Sequence, residues 1–275
     1  MGANAVTSAR NSATRTHLDF AHELADISGE AILPYFRKPL AVKNKAGLVG
    51  FDPVTAADRA AERAIRKAVV QRFPDHGIVG EEYGTIAGEG RYRWVVDPID
   101  GTRAFITGSP LWGTLIGLTD GEMPILGLMN QPFTGERFWS DGRQARWRGA
   151  DGKARRIRTR ACARLADAVL TTTHPDVFAA PADAERFNGV RSRVRMTRYG
   201  GDCYGYCLLA LGCIDIIVEA GLKTYDIVPL VPIIEGAGGV VTTWEGEPAL
   251  EGGRIVAAGD RRVHEQALAI LRGGS

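Results

Sequence analysis

Long apolar runs are missing from the 275 residues. None approaches the roughly 20 residues that a bilayer-spanning helix needs. A dominant charge is missing too. The 34 Lys and Arg nearly balance 32 Asp and Glu, leaving a formal net charge of +2, which argues against a polyanion binder and against a strongly acidic partner. Only four cysteines occur, Cys162, Cys203, Cys207 and Cys213, too few for a disulfide scaffold, and no secretory signal is read at the start. Reduced thiols and a cytoplasmic location are expected. There is no internal repeat, no G-x-S-x-G nucleophile elbow and no D-x-D-x-D-G calcium loop. His17, His22, His76, His174 and His264 stand outside any motif, so each reads as structural or surface.

What is present begins with helices. The segment from Thr16 to Leu33 places Leu18, Ala21, Leu24, Ala25, Ile27, Ala31 and Ile32 at helical spacing, with Thr16 and Asp19 as a capping box and Pro34 as the stop. The Ser/Thr/Ala-rich residues before it carry Arg10 and Arg15 and no acid. They have the composition of a transit peptide, but they are short and lack an amphipathic face, so a frayed tail is expected. A second amphipathic helix runs from Thr55 to Phe73 and stops at Pro74. "GIVGEE" and "RYRWVVD" read as strands. From Gly113 to Gly149, apolar strands alternate with Asp120-Gly121, Pro132 to Gly135 and Asp141-Gly142, which predicts an antiparallel meander. Beyond residue 165 the expected order is strand (DAVLTTT), helix (GGDCYGYCLLALG), strand (CIDIIVEAG) and one helix with two prolines (YDIVPLVPIIEGAGG). Strands VVTTWEG and RIVAAGD and a closing helix follow. This predicts two halves, 1–148 and 149–275, each a sheet with helices packed on it. The basic stretch Arg143–Arg160 has one aromatic, Trp147, and reads as a solvated hairpin face, with no nucleic acid expected.

The acids are placed unusually. Asp58 lies in "DPVTAAD", Glu81 and Glu82 in "VGEE", Asp97 and Asp100 in "WVVDPIDGT", and Asp226 in "TYD". Each sits at the end of an element, where a carboxylate does not fill a core. Clustered, they would raise one another's pKa unless a cation lay among them. An all-oxygen donor set favours a hard ion, Mg²⁺ before Zn²⁺. Pro98 stiffens the link between Asp97 and Asp100 and lets the Ile99 carbonyl turn toward an ion. Gly101 permits close backbone approach, and a helix from Thr102 would offer N–H groups to a phosphate. Plainer readings exist: Thr55 and Asp58 also make a helix-capping box, and D-P-I-D-G also makes a turn. Glu82 is expected to be solvent-exposed or a helper, and Cys203 and Cys207, one helical turn apart, read as core packing.

Taken together, "DPVTAAD", "GEE", "WVVDPIDGT" and "YDIVPLVPIIEGAGG" resemble the inositol monophosphatase family of Mg²⁺-dependent phosphatases, across the chain from the first helix to about residue 258. The resemblance implies a layered αβαβα sandwich, a homodimer, two or three Mg²⁺ ions and sensitivity to Li⁺. It also implies Glu81, Asp97, the Ile99 carbonyl, Asp100 and Asp226 as metal ligands, with Glu81 also counted among the catalytic residues. Asp58 and Thr102 are implied as the pair that activates the attacking water.

The stretch "DGTRAFITGSPLWGTLIGL", with Arg103 after D-G-T, and "RYGGDCYGYCLLALGCIDIIVEAGLKTYD" resemble the histidinol-phosphate phosphatase branch more than the inositol phosphatases. A substrate with an ammonium group calls for acids at its non-phosphate end, and Asp202 and Glu219 are the candidates. Gly101, Thr102, Arg103, Arg198 and Asp226 complete the expected substrate contacts, the arginines as donor forks to phosphate. The expected activity is hydrolysis of L-histidinol phosphate, a step of histidine biosynthesis, with inositol 1-phosphate as the alternative substrate. A non-catalytic binding homologue is the alternative of another class, and its mark would be an incomplete acid set.

Overall fold

The computed structural model describes residues 2–39, 41–45 and 53–273. Helix α1 runs Gly2–Ile32. The residues expected as a tail therefore continue the helix, and Thr16 lies inside it rather than capping it. Ala3, Ala5, Ala9 and Ala13 favour helix, and no Pro or Gly interrupts them before Thr16. A short antiparallel pair follows, β1 (Lys43–Asn44) and β2 (Pro53–Val54), then α2 (Ala56–Arg72). β3 (Gly77–Gly80), β4 (Gly84–Ile86) and β5 (Tyr92–Asp100) lead to the one-turn helix α3 (Thr102–Ile106). The expected meander is β6 (Gly113–Asp120), β7 (Met123–Gln131), β8 (Glu136–Ser140) and β9 (Ala145–Arg148), and β10 (Ala154–Arg156) extends it. These strands form one eight-stranded sheet in the order β10-β9-β8-β7-β6-β5-β3-β4.

The second sheet starts with β11 (Val169–Thr172). After it come α4 (Pro181–Arg191), β12 (Met196–Tyr199), α5 (Asp202–Ala210) and β13 (Ile216–Leu222). The segment with two prolines is two short helices, α6 (Thr224–Ile227) and α7 (Val231–Gly236), rather than the single helix expected. Pro229 has no N–H to continue the helical ladder, so a turn falls between them even though Val228 keeps helical backbone angles. β14 (Val240–Thr243), β15 (Gly253–Ala258) and α8 (Arg261–Leu271) complete the chain, in a five-stranded sheet ordered β12-β11-β13-β15-β14.

Five layers result. Helices α1 and α2 cover the outer face of the large sheet, and α5, α6 and α7 lie between the sheets. Helices α4 and α8 cover the far face of the small one. Side chains on one strand alternate between cores. Leu115 joins the central core and Ile116 the α1–α2 core. Likewise Ile217 faces the centre while Ile216 and Val218 face α4 and α8. Strands buried on both faces need near-continuous apolar sequence, which is what "TLIGL" and "IIV" supply. The chain is thus an αβαβα sandwich. A close contact sets the central layer: a Cβ at Gly127 would lie 1.9 Å from the Pro229 oxygen. Only a glycine on β7 lets the α6–α7 turn dock, and that turn follows directly on Asp226. Among the described residues, no helix is long and apolar enough to cross a membrane.

Candidate active site

Strand β5 carries its apolar residues straight into the acids. Its pairing with β6 holds Asp97 opposite Leu115 and then shifts register before Asp100 meets Gly113. Pro98, which cannot donate to the ladder, sits inside the shift. Within this bulge the Ile99 N–H donates to Asp97 Oδ1 at 3.0 Å, and the Thr102 hydroxyl donates to the Ile99 carbonyl at 3.1 Å. Two buried hydroxyls hold the bulge from behind: Thr114 Oγ1 donates to the Pro98 carbonyl at 2.9 Å and lies 2.8 Å from Ser28 Oγ of α1. Gly101 takes φ +84° and starts α3.

The carboxylates do converge. Asp97, Asp100 and Asp226 each present an oxygen, all within 4.8 Å of one another. Asp226 comes from the first turn of α6, where its Oδ2 accepts the Lys223 N–H at 2.7 Å. Asp100 Oδ2 accepts the Cys203 N–H at the start of α5, at 2.5 Å. Burial drives the pKa values of Asp97 and Asp100 far above the usual carboxylate range. For Asp97 the charges of Glu81, Asp100 and Asp226 add to it, and for Asp100 those of Asp202 and Asp226. Burial also lifts Asp226 to about 7, with the Lys223 N–H opposing and Glu81 adding. Glu81, at the end of β3, lies against Asp97 and accepts Lys45 Nζ at 2.7 Å.

Asp58 serves two ends. One oxygen completes the capping box, accepting the Thr55 N–H at 2.8 Å and the Thr55 hydroxyl at 2.5 Å. The other, Oδ1, is buried without a partner among the described residues. The hydroxyl touching Asp58 is therefore that of Thr55, while Thr102 turns to Ile99. Of the two expectations for Glu82, exposed or a helper, exposure fails. Its side chain is buried and paired with Lys45 Nζ at 2.9 Å, because the turn after Gly80 folds it under α2. Lys45 went unnoticed in the sequence. Burial works against its charge, but the bonds and charges of Glu81 and Glu82 outweigh it and hold the ammonium firmly protonated.

A cavity of about 180 Å³ opens beside the acids, lined by Asp100 and Asp226 together with Asp202, Glu219, Thr173 and Tyr206. Asp202 is the first residue of α5, after the N-cap Gly201, and takes φ +45°, a strained conformation for a non-glycine. Burial lifts its pKa to about 6, with the Arg103 guanidinium pulling it back. Glu219, in the middle of β13, is lifted by burial to about 8. Its Oε1 accepts the Thr173 N–H at 2.6 Å, and its Oε2 has no partner among the described residues. Arg198 stands apart: it is exposed on the edge strand β12 and does not line this cavity. Cys203 and Cys207 pack in the central core.

The donor set suits a hard divalent cation. It consists of oxygen atoms only, crowded so that neighbouring charges disfavour ionisation until a cation relieves them.

Comparison with known proteins agrees. The model of the inositol monophosphatase family matches residues 14–274. The bifunctional phosphatase IMPL2 of Arabidopsis thaliana, a chloroplast protein, is 45% identical over 260 residues, spanning 90% of this chain and 72% of that protein. The histidinol-phosphatase of Mycobacterium tuberculosis is 34% identical over 223 residues, 81% of this chain and 85% of the relative. Among solved structures, an inositol monophosphatase from Zymomonas mobilis is 42% identical with a TM-score of 0.83, covering 94% of this chain and 98% of the other.

Proposed function

The chain belongs to the inositol monophosphatase family, whose members are phosphoric monoester hydrolases, and from that premise we propose that its cofactor is Mg²⁺ and its substrate L-histidinol phosphate. Asp97, Asp100, Asp226, Glu81 and the Ile99 carbonyl would hold the ions. When bound, Mg²⁺ supplies positive charge for the phosphoryl oxygens and lowers the pKa of water. The chain's own residues do the rest. Asp58 Oδ1, buried and unpartnered, accepts a proton from the attacking water, oriented by the Thr102 hydroxyl. The backbone at Gly101 and Thr102 approaches the phosphoryl group and stabilises its developing charge. Arg103 balances Asp202 and orients the ester.

One observation carries the substrate assignment. Asp202 and Glu219 line the same cavity as Asp100 and Asp226, so a small ester with its phosphate at the metal acids places its other end against two more carboxylates. An ammonium there satisfies both, and it favours ionisation of Glu219, which burial otherwise opposes. The histidinol-phosphatases among the relatives support this reading. The inositol monophosphatase relatives keep inositol 1-phosphate as the second reading. Phosphate release from both esters and from a sugar bisphosphate, with Mg²⁺ omitted and restored, decides between them. The expected result is metal-dependent turnover with the highest kcat/KM on histidinol phosphate. Equal or better turnover of inositol 1-phosphate moves the assignment to that ester. A homodimer, a role in histidine biosynthesis and a cytoplasmic location belong to the same proposal.

A further inference from the structure

Glu62 lies one helical turn beyond Asp58 on α2, and its carboxylate is fully buried. Oε1 accepts Arg66 Nε at 2.7 Å and the Tyr83 N–H at 3.1 Å, and Oε2 accepts the Glu82 N–H at 2.7 Å. Arg66, one turn further along, donates through Nη2 to the Gly84 carbonyl. Two side chains of α2 thus bind three consecutive backbone positions of the turn that joins β3 to β4. From the other side, Gly80 is wedged against them: a Cβ there would lie 2.2 Å from Glu62 Oε1 and 2.8 Å from Arg66 Nη2. Glu81 is the residue between the wedge and the first bound amide.

A buried ion pair is a poor device for stability alone, since its desolvation cost offsets most of the attraction. What this pair provides is geometry. Both oxygens of Glu62 are satisfied, and the bonds from the Glu82 and Tyr83 N–H groups fix backbone atoms close to Glu81, whose carboxylate reaches Asp97. Asp58 is on the same helix, so a single rigid element sets the placement of Glu81 and of Asp58 together.

We propose that Glu62, backed by Arg66, is a positioning residue that aims the Glu81 carboxylate into the acid cluster by holding the Glu82 and Tyr83 amides. This rests on the reading of Glu81 as a metal ligand. The glutamate acts through the turn and touches neither ion nor substrate. Groups that orient a ligand typically change metal affinity by about 10- to 100-fold when removed.

The test is a double-mutant cycle read by calorimetric titration of Mg²⁺ into the full-length protein, alongside kcat, KM and the urea midpoint. Glu62→Gln keeps the reach and loses the charge and one acceptor. We expect it to weaken Mg²⁺ binding by about 10- to 100-fold, with KM for the ester at saturating Mg²⁺ little changed. In a Glu81→Gln background the same substitution should change Mg²⁺ affinity by less than about twofold, because its route is already cut. Should Glu62→Gln not fold, Glu62→Asp keeps Arg66 paired and shortens the reach to the amides, and the same pattern is expected. Wild-type Mg²⁺ affinity in the variants, or a full further loss on top of Glu81→Gln, overturns the positioning role and leaves the metal-site reading standing. A wild-type protein that binds no Mg²⁺ and hydrolyses no ester overturns the reading beneath it as well.

Discussion

Replacing Asp100 by Asn should change stability and metal binding in opposite directions. In the metal-free protein, ionising all three carboxylates sets them against one another, so they keep their protons to higher pH than free acids do. Two unit charges at the outer limit of the spacing, 4.8 Å, cost about 3.5 kcal/mol at an effective dielectric constant near 20. Asp226 carries a further cost, set first by burial, that Asp100→Asn does not relieve. Its pKa raised from 3.8 to about 7, at about 1.4 kcal/mol per unit, costs the folded state on the order of 4 kcal/mol above pH 7. Neutralising Asp100 removes only the part of the cluster's cost that comes from its own charge and burial. The Asn carbonyl can still accept the Cys203 N–H, so the start of α5 is kept. In EDTA at pH 8, Asp100→Asn should therefore gain about 1–3 kcal/mol, or roughly 2–10 °C in Tm. Added Mg²⁺ should stabilise the wild type by about 2.7 kcal/mol at a hundredfold excess over Kd and leave the variant nearly unmoved, with most activity lost. Thermal melts with and without Mg²⁺, paired with phosphate release, read all three effects. A variant less stable than wild type in EDTA, with an undiminished response to Mg²⁺, refutes the reasoning.

Other outcomes follow from the same geometry. In the metal-free protein Asp97, Asp100 and Asp226 hold protons that the unfolded chain has released. The contribution of these groups is thus most favourable below the unfolded pKa near 4 and is lost as pH rises, for Asp226 through about 7; melts in EDTA should fall over that window and flatten when Mg²⁺ is present. Asp58→Asn should lower kcat by about 10²–10⁴ while calorimetry shows Mg²⁺ affinity close to wild type. Asp202→Asn should raise KM about tenfold for histidinol phosphate, a loss near 1.4 kcal/mol, and leave KM unchanged for an ester without an amine. Gly127→Ala, which drives a Cβ into the Pro229 carbonyl, should cost about 1–3 kcal/mol in urea unfolding and weaken Mg²⁺ binding by moving Asp226.

Much of this site was legible in the sequence because its acids follow strands or open helices. The apolar run of β5 ending in Asp97, and the prolines that break the segment after Asp226, mark their own positions. Strand alternation and the Asp-Gly turns likewise announce the meander. Helix α4 went unread because only Phe187 and Val190 of its eleven residues are buried, which leaves almost no 3.6-residue signal. The Thr16 cap failed because nothing before it stops a helix. Lys45, Glu62 and Arg66 escaped for another reason. Apart from the Glu62–Arg66 pair within α2, their partners lie 18 to 37 residues away, and neither a charged residue on an amphipathic helix nor one in a turn gives a sign of whether it meets water or a buried group. The exposed alternative for Glu82 fails for the same cause, its burial being set by α2 rather than by its neighbours in sequence.

The most direct measurement is anomalous diffraction from a crystal soaked in Mn²⁺ as a stand-in for Mg²⁺. A peak bounded by Asp97, Asp100 and Asp226, with Glu81 turned to it, is the predicted result. Ordered carboxylates with no peak between them, at Mn²⁺ concentrations that support turnover, would contradict the account.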